Sequence, residues 1–119
     1  MKFSDSLKKS RDFQTVYKKG RSYANKCLVL YALPNRSELN RIGISVSKKV
    51  GNSVVRHRIT RVIRECYRLH EDSFQNGWDL VVIARVAAKE KSYQELEQAL
   101  LHLGRLHGVA AVDEEKGER

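Results

Sequence analysis

Residues Lys48 to Arg68 read KKVGNSVVRHRITRVIRECYR, and this stretch resolves into one long amphipathic helix behind a glycine-asparagine entrance. On a wheel advancing about 100° per residue, Val55, Ile59, Val62, Ile63, Cys66 and Leu69 share one arc. His57, Arg61, Arg64 and Arg68 occupy the opposite arc, and Arg56 and Arg58 flank the boundary. An ordinary solvated face mixes both signs, but Glu65 is the one acid among these cations, so their repulsion goes largely uncompensated within the helix. An anionic partner would offset it. Arginine forks suit phosphate oxygens better than lysine point charges do, and every long basic side chain of this helix is arginine. Lys48 and Lys49 stand at the entrance, where Gly51 and Asn52 suit a turn and Asn52 or Ser53 suits the helix cap. The backbone amides and the positive helix end beside these lysines make a second anion site.

Outward from this helix, apolar periodicity sets the remaining elements. Ser10 to Lys19 reads as a short helix with Phe13, Val16 and Tyr17 on one face and Gly20 as its stop. Residues 21–26 suit a short edge strand. Cys27 to Leu33 is an apolar strand, and Arg41 to Ser47 alternates Ile42, Ile44 and Val46 with small residues, so a turn at Pro34 to Glu38 predicts a hairpin of these two. Gly77 breaks the pattern before a further strand at Asp79 to Arg85. Ser92-Tyr93-Gln94-Glu95 is a capping box opening a helix that carries Leu96, Leu100 and Leu103. The order α-β-β-β-α-β-α implies an α+β sandwich with one antiparallel-rich sheet. Residues 1–107 form the domain, and 108–119 read as an acidic, disordered tail.

Composition narrows the partner. With 119 residues, 23 Lys and Arg against 14 Asp and Glu, a net charge of +9 and a pI near 9.8, this is a single basic domain with a polyanionic partner. No apolar run approaches the roughly 20 residues that span a bilayer, and the first residues lack the apolar core of a secretory signal, so a cytoplasmic location is expected. Cys27 and Cys66 read as small buried hydrophobes, not as a disulfide or zinc pair. His70, His102 and His107 read as surface residues. A self-sufficient nuclease needs a carboxylate cage or a paired acid and base, and the acids here are scattered: Asp12 at a helix start, Glu65 among arginines, Glu114 and Glu115 in the tail. No catalytic and no metal-ligating residue is assigned.

The run Lys48-Lys49-Val50-Gly51-Asn52, followed by Val55-Arg56-His57-Arg58 and Arg61-Val62-Ile63-Arg64-Glu65, resembles the signature of the bacterial ribonuclease P protein subunit. The likeness extends from about residue 6 to 107, through Arg11, Phe13, Val16, Gly20, Leu28 to Tyr31, Gly43, Ser45 to Ser47 and Asp79 to Arg85. His57 stands where the family usually has asparagine, and Thr60 where it often has lysine. The resemblance implies a ribosomal protein S5 domain 2-like fold with a left-handed βαβ crossover. It also implies a subunit of the ribonucleoprotein that removes the 5′ leader from precursor tRNA, with hydrolysis carried by the RNA subunit and its Mg2+, and one protein per RNA. Lys48, Lys49, Asn52, Arg56, His57, Arg58, Arg61, Arg64 and Arg68 would meet the catalytic RNA. Phe13, Tyr17 and Tyr31 would line a cleft for the precursor tRNA leader, although Phe13 reads equally well as core. A general single-strand RNA binder and a major-groove DNA binder are the competing classes.

Overall fold

A computed structural model describes residues 4–110 of the chain. In sequence order the elements are β1 (Ser4–Ser6), α1 (Ser10–Lys19), β2 (Arg21–Ala24), β3 (Leu28–Pro34), β4 (Asn40–Ser45), α2 (Ser53–Leu69), β5 (Trp78–Ala84) and α3 (Tyr93–Leu106). Short 3-10 turns at Glu71–Ser73 and Val86–Glu90 precede β5 and α3. The five strands form one mixed sheet in the order β1-β4-β5-β3-β2. β1 and β5 run parallel to β4, whereas β3 runs antiparallel to both β5 and β2.

The expected β3–β4 hairpin is not formed, because β5 lies between the two strands. The physical reason is legible in β5 itself. Leu80, Val81 and Val82 are all fully buried, so this strand needs cover on both faces, which only a central position provides. β4 alternates instead and takes the next place out, making β4–α2–β5 a parallel βαβ unit. The connection after β3 crosses the end of β5 and is tied to it: the Asn35 amide NH donates to the Gly77 carbonyl and the Asn35 side chain to Asp79, at 2.8 and 2.9 Å. β1 is an element that the sequence reading lacks. Its polar residues carry no strand pattern, and it is held by pairing with β4 and by burial of Leu7, whose amide reaches the Ile42 carbonyl.

Strand alternation sorts the core into two layers. Leu28, Leu30, Ile42, Leu80 and Val82 face α2 and α3, while Tyr31, Leu33, Val81 and Ile83 face α1. α2 buries Ile59, Ile63, Cys66 and Tyr67. Tyr67, not the expected Leu69, completes the stripe: its ring is buried edge-on to Phe74, and its hydroxyl meets Ser4 and Asn40. Leu69 is exposed. Cys27 and Cys66 are buried free thiols. At the far end the ordered domain extends beyond residue 107. Gly108 turns the chain at φ +75°, and Val109 and Ala110 are buried, with Ala110 bridged to Phe74. Gly104 leaves room for that return, since a methyl there would lie 2.8 Å from Ala110 Cβ. The remainder of the acidic tail lies outside the described residues.

Candidate nucleic-acid interface

α2 starts where the sequence places it. Asn52 is the cap, its side-chain oxygen accepting from the Val55 amide at 3.0 Å, so this residue builds the helix entrance and leaves Ser53 as the first helical position. Gly51 lies so close to Val55 that a methyl would approach it to 2.8 Å, and buried Val50 anchors the turn that carries exposed Lys48 and Lys49.

The basic residues of α2 fall into three physical situations. His57, Arg61 and Arg64 are exposed on the outer face. Arg68 is exposed but engaged, with a two-pronged bond to Glu65 at 2.6 and 3.0 Å that partly neutralises it and holds the Glu65 carboxyl below its usual range. Arg58 is exposed but tethered, and Arg56 is partly buried. The Arg58 head donates to the Lys89 carbonyl at 2.9 Å, pinning α2 to the turn before α3, and Arg56 is half-buried with its Nε enclosed and without a hydrogen-bond partner. The free positive charge of this face therefore centres on Arg61 and Arg64, continued by the lysines at the entrance. Between α2 and the first residue of α3 lies a groove of about 630 Å3, bordered by Val54, His57, Arg58, Arg61, Val62, Glu65 and Tyr93. Tyr93 is absent from the sequence-derived site, since only folding brings it to α2.

On the other side of the sheet the three expected aromatics do meet. Tyr17 and Tyr31 are edge-on with ring centres 5.1 Å apart, and Phe13 follows at 6.3 Å from Tyr17. All three are half-buried, and Phe13 also rests on Gly43 of β4, so it serves both core and platform. Exposed Arg11, Lys18 and Lys19 of α1 border this platform beside Tyr17.

With these two surfaces in place, the likeness to known proteins is decisive. A family model described as Ribonuclease P matches residues 1–106. The chain belongs to the ribonuclease P protein family. It is 54% identical over 111 residues to the ribonuclease P protein component of Lachnoclostridium phytofermentans, covering 93% of this chain and 96% of that relative. The structure matches that of the Staphylococcus aureus RNase P protein with a TM-score of 0.83 at 40% identity, over 89% of this chain and 97% of the other. For the Thermotoga maritima RNase P protein the TM-score is 0.79 at 29% identity, over 85% and 96%. The function that follows is that of the protein component of a bacterial ribonucleoprotein endoribonuclease in tRNA 5′ processing, working with an RNA subunit and a tRNA substrate.

The acids of this ribonuclease P protein are engaged in structure where their partners are seen. Asp79 is buried and takes both a two-pronged bond from Arg41, at 2.7 and 2.9 Å, and the Asn35 amide; Arg41 also reaches Asp12 at 3.5 Å. Burial pushes the Asp79 carboxyl up, but Arg41 and Asn35 outweigh it and hold the group below its ordinary value. Glu95 closes the capping box with Ser92. Among the described residues no three His, Cys, Asp or Glu side chains gather as a metal site, and no helix is long and apolar enough to cross a membrane. Of the histidines read as surface residues, His102 is exposed and His70 pairs with Glu97 at 2.7 Å. His107 departs from that reading: half-buried, it donates to the Leu30 carbonyl at 2.6 Å, and burial holds it below its ordinary value.

Proposed function

We propose that α2 and Lys48-Lys49 dock the protein onto the catalytic RNA, while Phe13, Tyr17 and Tyr31 receive the unpaired 5′ leader of precursor tRNA. The observation carrying this reading is that Arg61 and Arg64 are exposed on a folded helix with no acid paired to them among the described residues, whereas the one acid on the face is taken by Arg68. Phosphates supply the missing charge, and their neutralisation lets folded RNA strands approach one another and releases counterions. A half-buried aromatic platform suits splayed bases of any sequence, as a processing enzyme with many leaders requires.

Hydrolysis belongs in this reading to the RNA subunit, with Mg2+ as its cation, and the protein contributes binding and positioning. One protein per RNA and a cytoplasmic location complete the proposal. The test is reconstitution. Cleavage of precursor tRNA by a bacterial ribonuclease P RNA at low magnesium should rise sharply when this protein is added. A folded protein that binds single-stranded RNA yet gives no gain in cleavage would assign it to the general RNA binders instead.

A further inference from the structure

We propose that the groove between α2 and the start of α3 takes one unpaired nucleobase of the RNA subunit, stacked on the Tyr93 ring with its flanking phosphates on His57 and Arg61. The inference rests on the reading of α2 as the RNA-docking face and adds a base-binding site to it.

A surface that only gathers phosphates needs cations alone, but this one surrounds an apolar slot. Val54 is 75% exposed in the first turn of α2, in the midst of the basic face, and it shares the groove with half-buried Val62 and the Tyr93 ring. His57, Arg58, Arg61 and Glu65 border the same slot, and the Glu65 carboxylate is already taken by Arg68. Apolar walls edged by cations match one chemical object better than any other, a flat aromatic ring attached to a phosphate chain. A duplex does not fit this description, because its base faces are covered by their neighbours. An apolar peptide would leave the cations without counter-charges and bury them at a cost. The groove volume of about 630 Å3 lies in the range of sites that enclose small-molecule-sized groups.

The stacking surface is also held in place before any ligand arrives. Tyr93 is the first residue of α3, directly behind Ser92, whose side chain accepts from the Glu95 amide at 3.1 Å while Glu95 accepts from the Ser92 amide at 2.9 Å. The Tyr93 ring is half-buried and packs against the main core, which seats it beside α2. On the border of the same groove, the Arg58 guanidinium is tethered to the Lys89 carbonyl, a planar cation held at one end. Little side-chain freedom remains to be lost on binding.

The test measures binding of the full chain to a bacterial ribonuclease P RNA over a series of salt concentrations, for wild type, Tyr93→Leu, Tyr93→Phe and Arg61→Ala. Loss of one base stack should weaken Tyr93→Leu about five- to 150-fold without changing the salt slope, since no phosphate contact is lost. Tyr93→Phe should stay within about threefold of wild type, because the ring is kept. Arg61→Ala should flatten the slope by about one counterion. A folded Tyr93→Leu that binds like wild type overturns the stacking site, while a flattened slope for Arg61→Ala in the same experiment leaves the docking role of α2 standing. If neither variant changes binding, the docking role falls as well. Should Tyr93→Leu fail to fold, Tyr93→p-azidophenylalanine keeps the ring and decides the matter by photocrosslinking. Crosslinks to a single unpaired nucleotide support the site; none, or crosslinks confined to paired nucleotides, overturn it.

Discussion

Phe13 stands directly over Gly43, so that a methyl group on the glycine would lie 2.6 Å from the Phe13 Cζ atom. β4 thereby acts as the seat for α1, and the position of the aromatic platform depends on a residue with no side chain. Gly43→Ala should force Phe13 off its rotamer or lift α1, at a cost of about 1–3 kcal/mol. It should also weaken precursor tRNA binding by the assembled enzyme, because Tyr17 moves with α1. Thermal unfolding and precursor binding measured together check this. An unchanged melting temperature would mean that Phe13 is not seated as described.

Tyr17 and Tyr31 meet edge-on across α1 and β3, a geometry that leaves both half-buried. Replacing either with alanine removes a stacking surface worth roughly 1–3 kcal/mol per base. The loss should appear for tRNA that carries a leader and should be small for mature tRNA, which has none. Paired affinity measurements on the two RNAs read the difference directly, and equal losses would place these rings away from the leader path.

The arginines of α2 should separate into two groups. Arg58→Ala removes the bond to the Lys89 carbonyl and should lower stability by about 0.5–1.5 kcal/mol as well as weaken RNA binding. Arg61→Ala and Arg64→Ala remove exposed heads and should leave stability within about 0.5 kcal/mol of wild type. Each of these two should nevertheless reduce the salt dependence of RNA binding by about one counterion. Denaturant unfolding with salt-dependent binding distinguishes the groups, and a salt slope unmoved by both exposed substitutions would contradict the docking role.

The division between what sequence shows and what folding adds runs along these same residues. Ile59, Ile63 and Cys66 announce their burial by helical spacing, Ser92 and Glu95 announce the start of α3, and the arginine arc follows from the same wheel. These are local signals. Strand neighbours are not local: the turn residues at 34–38 suit a hairpin, and only the two-sided burial of Leu80, Val81 and Val82 shows why β5 displaces β4 from β3. β1 escaped because three polar residues carry no strand pattern, and Val109 and Ala110 because Gly108 resembles a simple stop. The tether of Arg58 likewise depends on the turn before α3, which lies some thirty residues along the chain. Tyr67 could have been found, since it follows Ile63 by four positions and shares its face.

Asp79 offers a test of the fold by pH. It joins β5 to Arg41 of β4 and to Asn35 of the connection after β3, and Arg41 carries the link on to Asp12 of α1. Because these donors hold the folded carboxyl below its ordinary value of 3.8, the unfolded chain takes up the proton first as pH falls. The stabilising contribution is thus complete above that value and is lost as pH drops through the folded one. Asp79→Asn deprives Arg41 of its ionic partner and should cost about 1–3 kcal/mol at neutral pH. Asparagine resembles the protonated carboxyl in shape, so the gap in melting temperature should persist from pH 7 to about 5 and close progressively below about 4. Melting curves of both proteins from pH 7 to 2 provide the measurement. A gap of constant size down to the lowest pH would show that Asp79 acts through packing and neutral hydrogen bonds, and that its charge does not bind β4, β5 and α1 together.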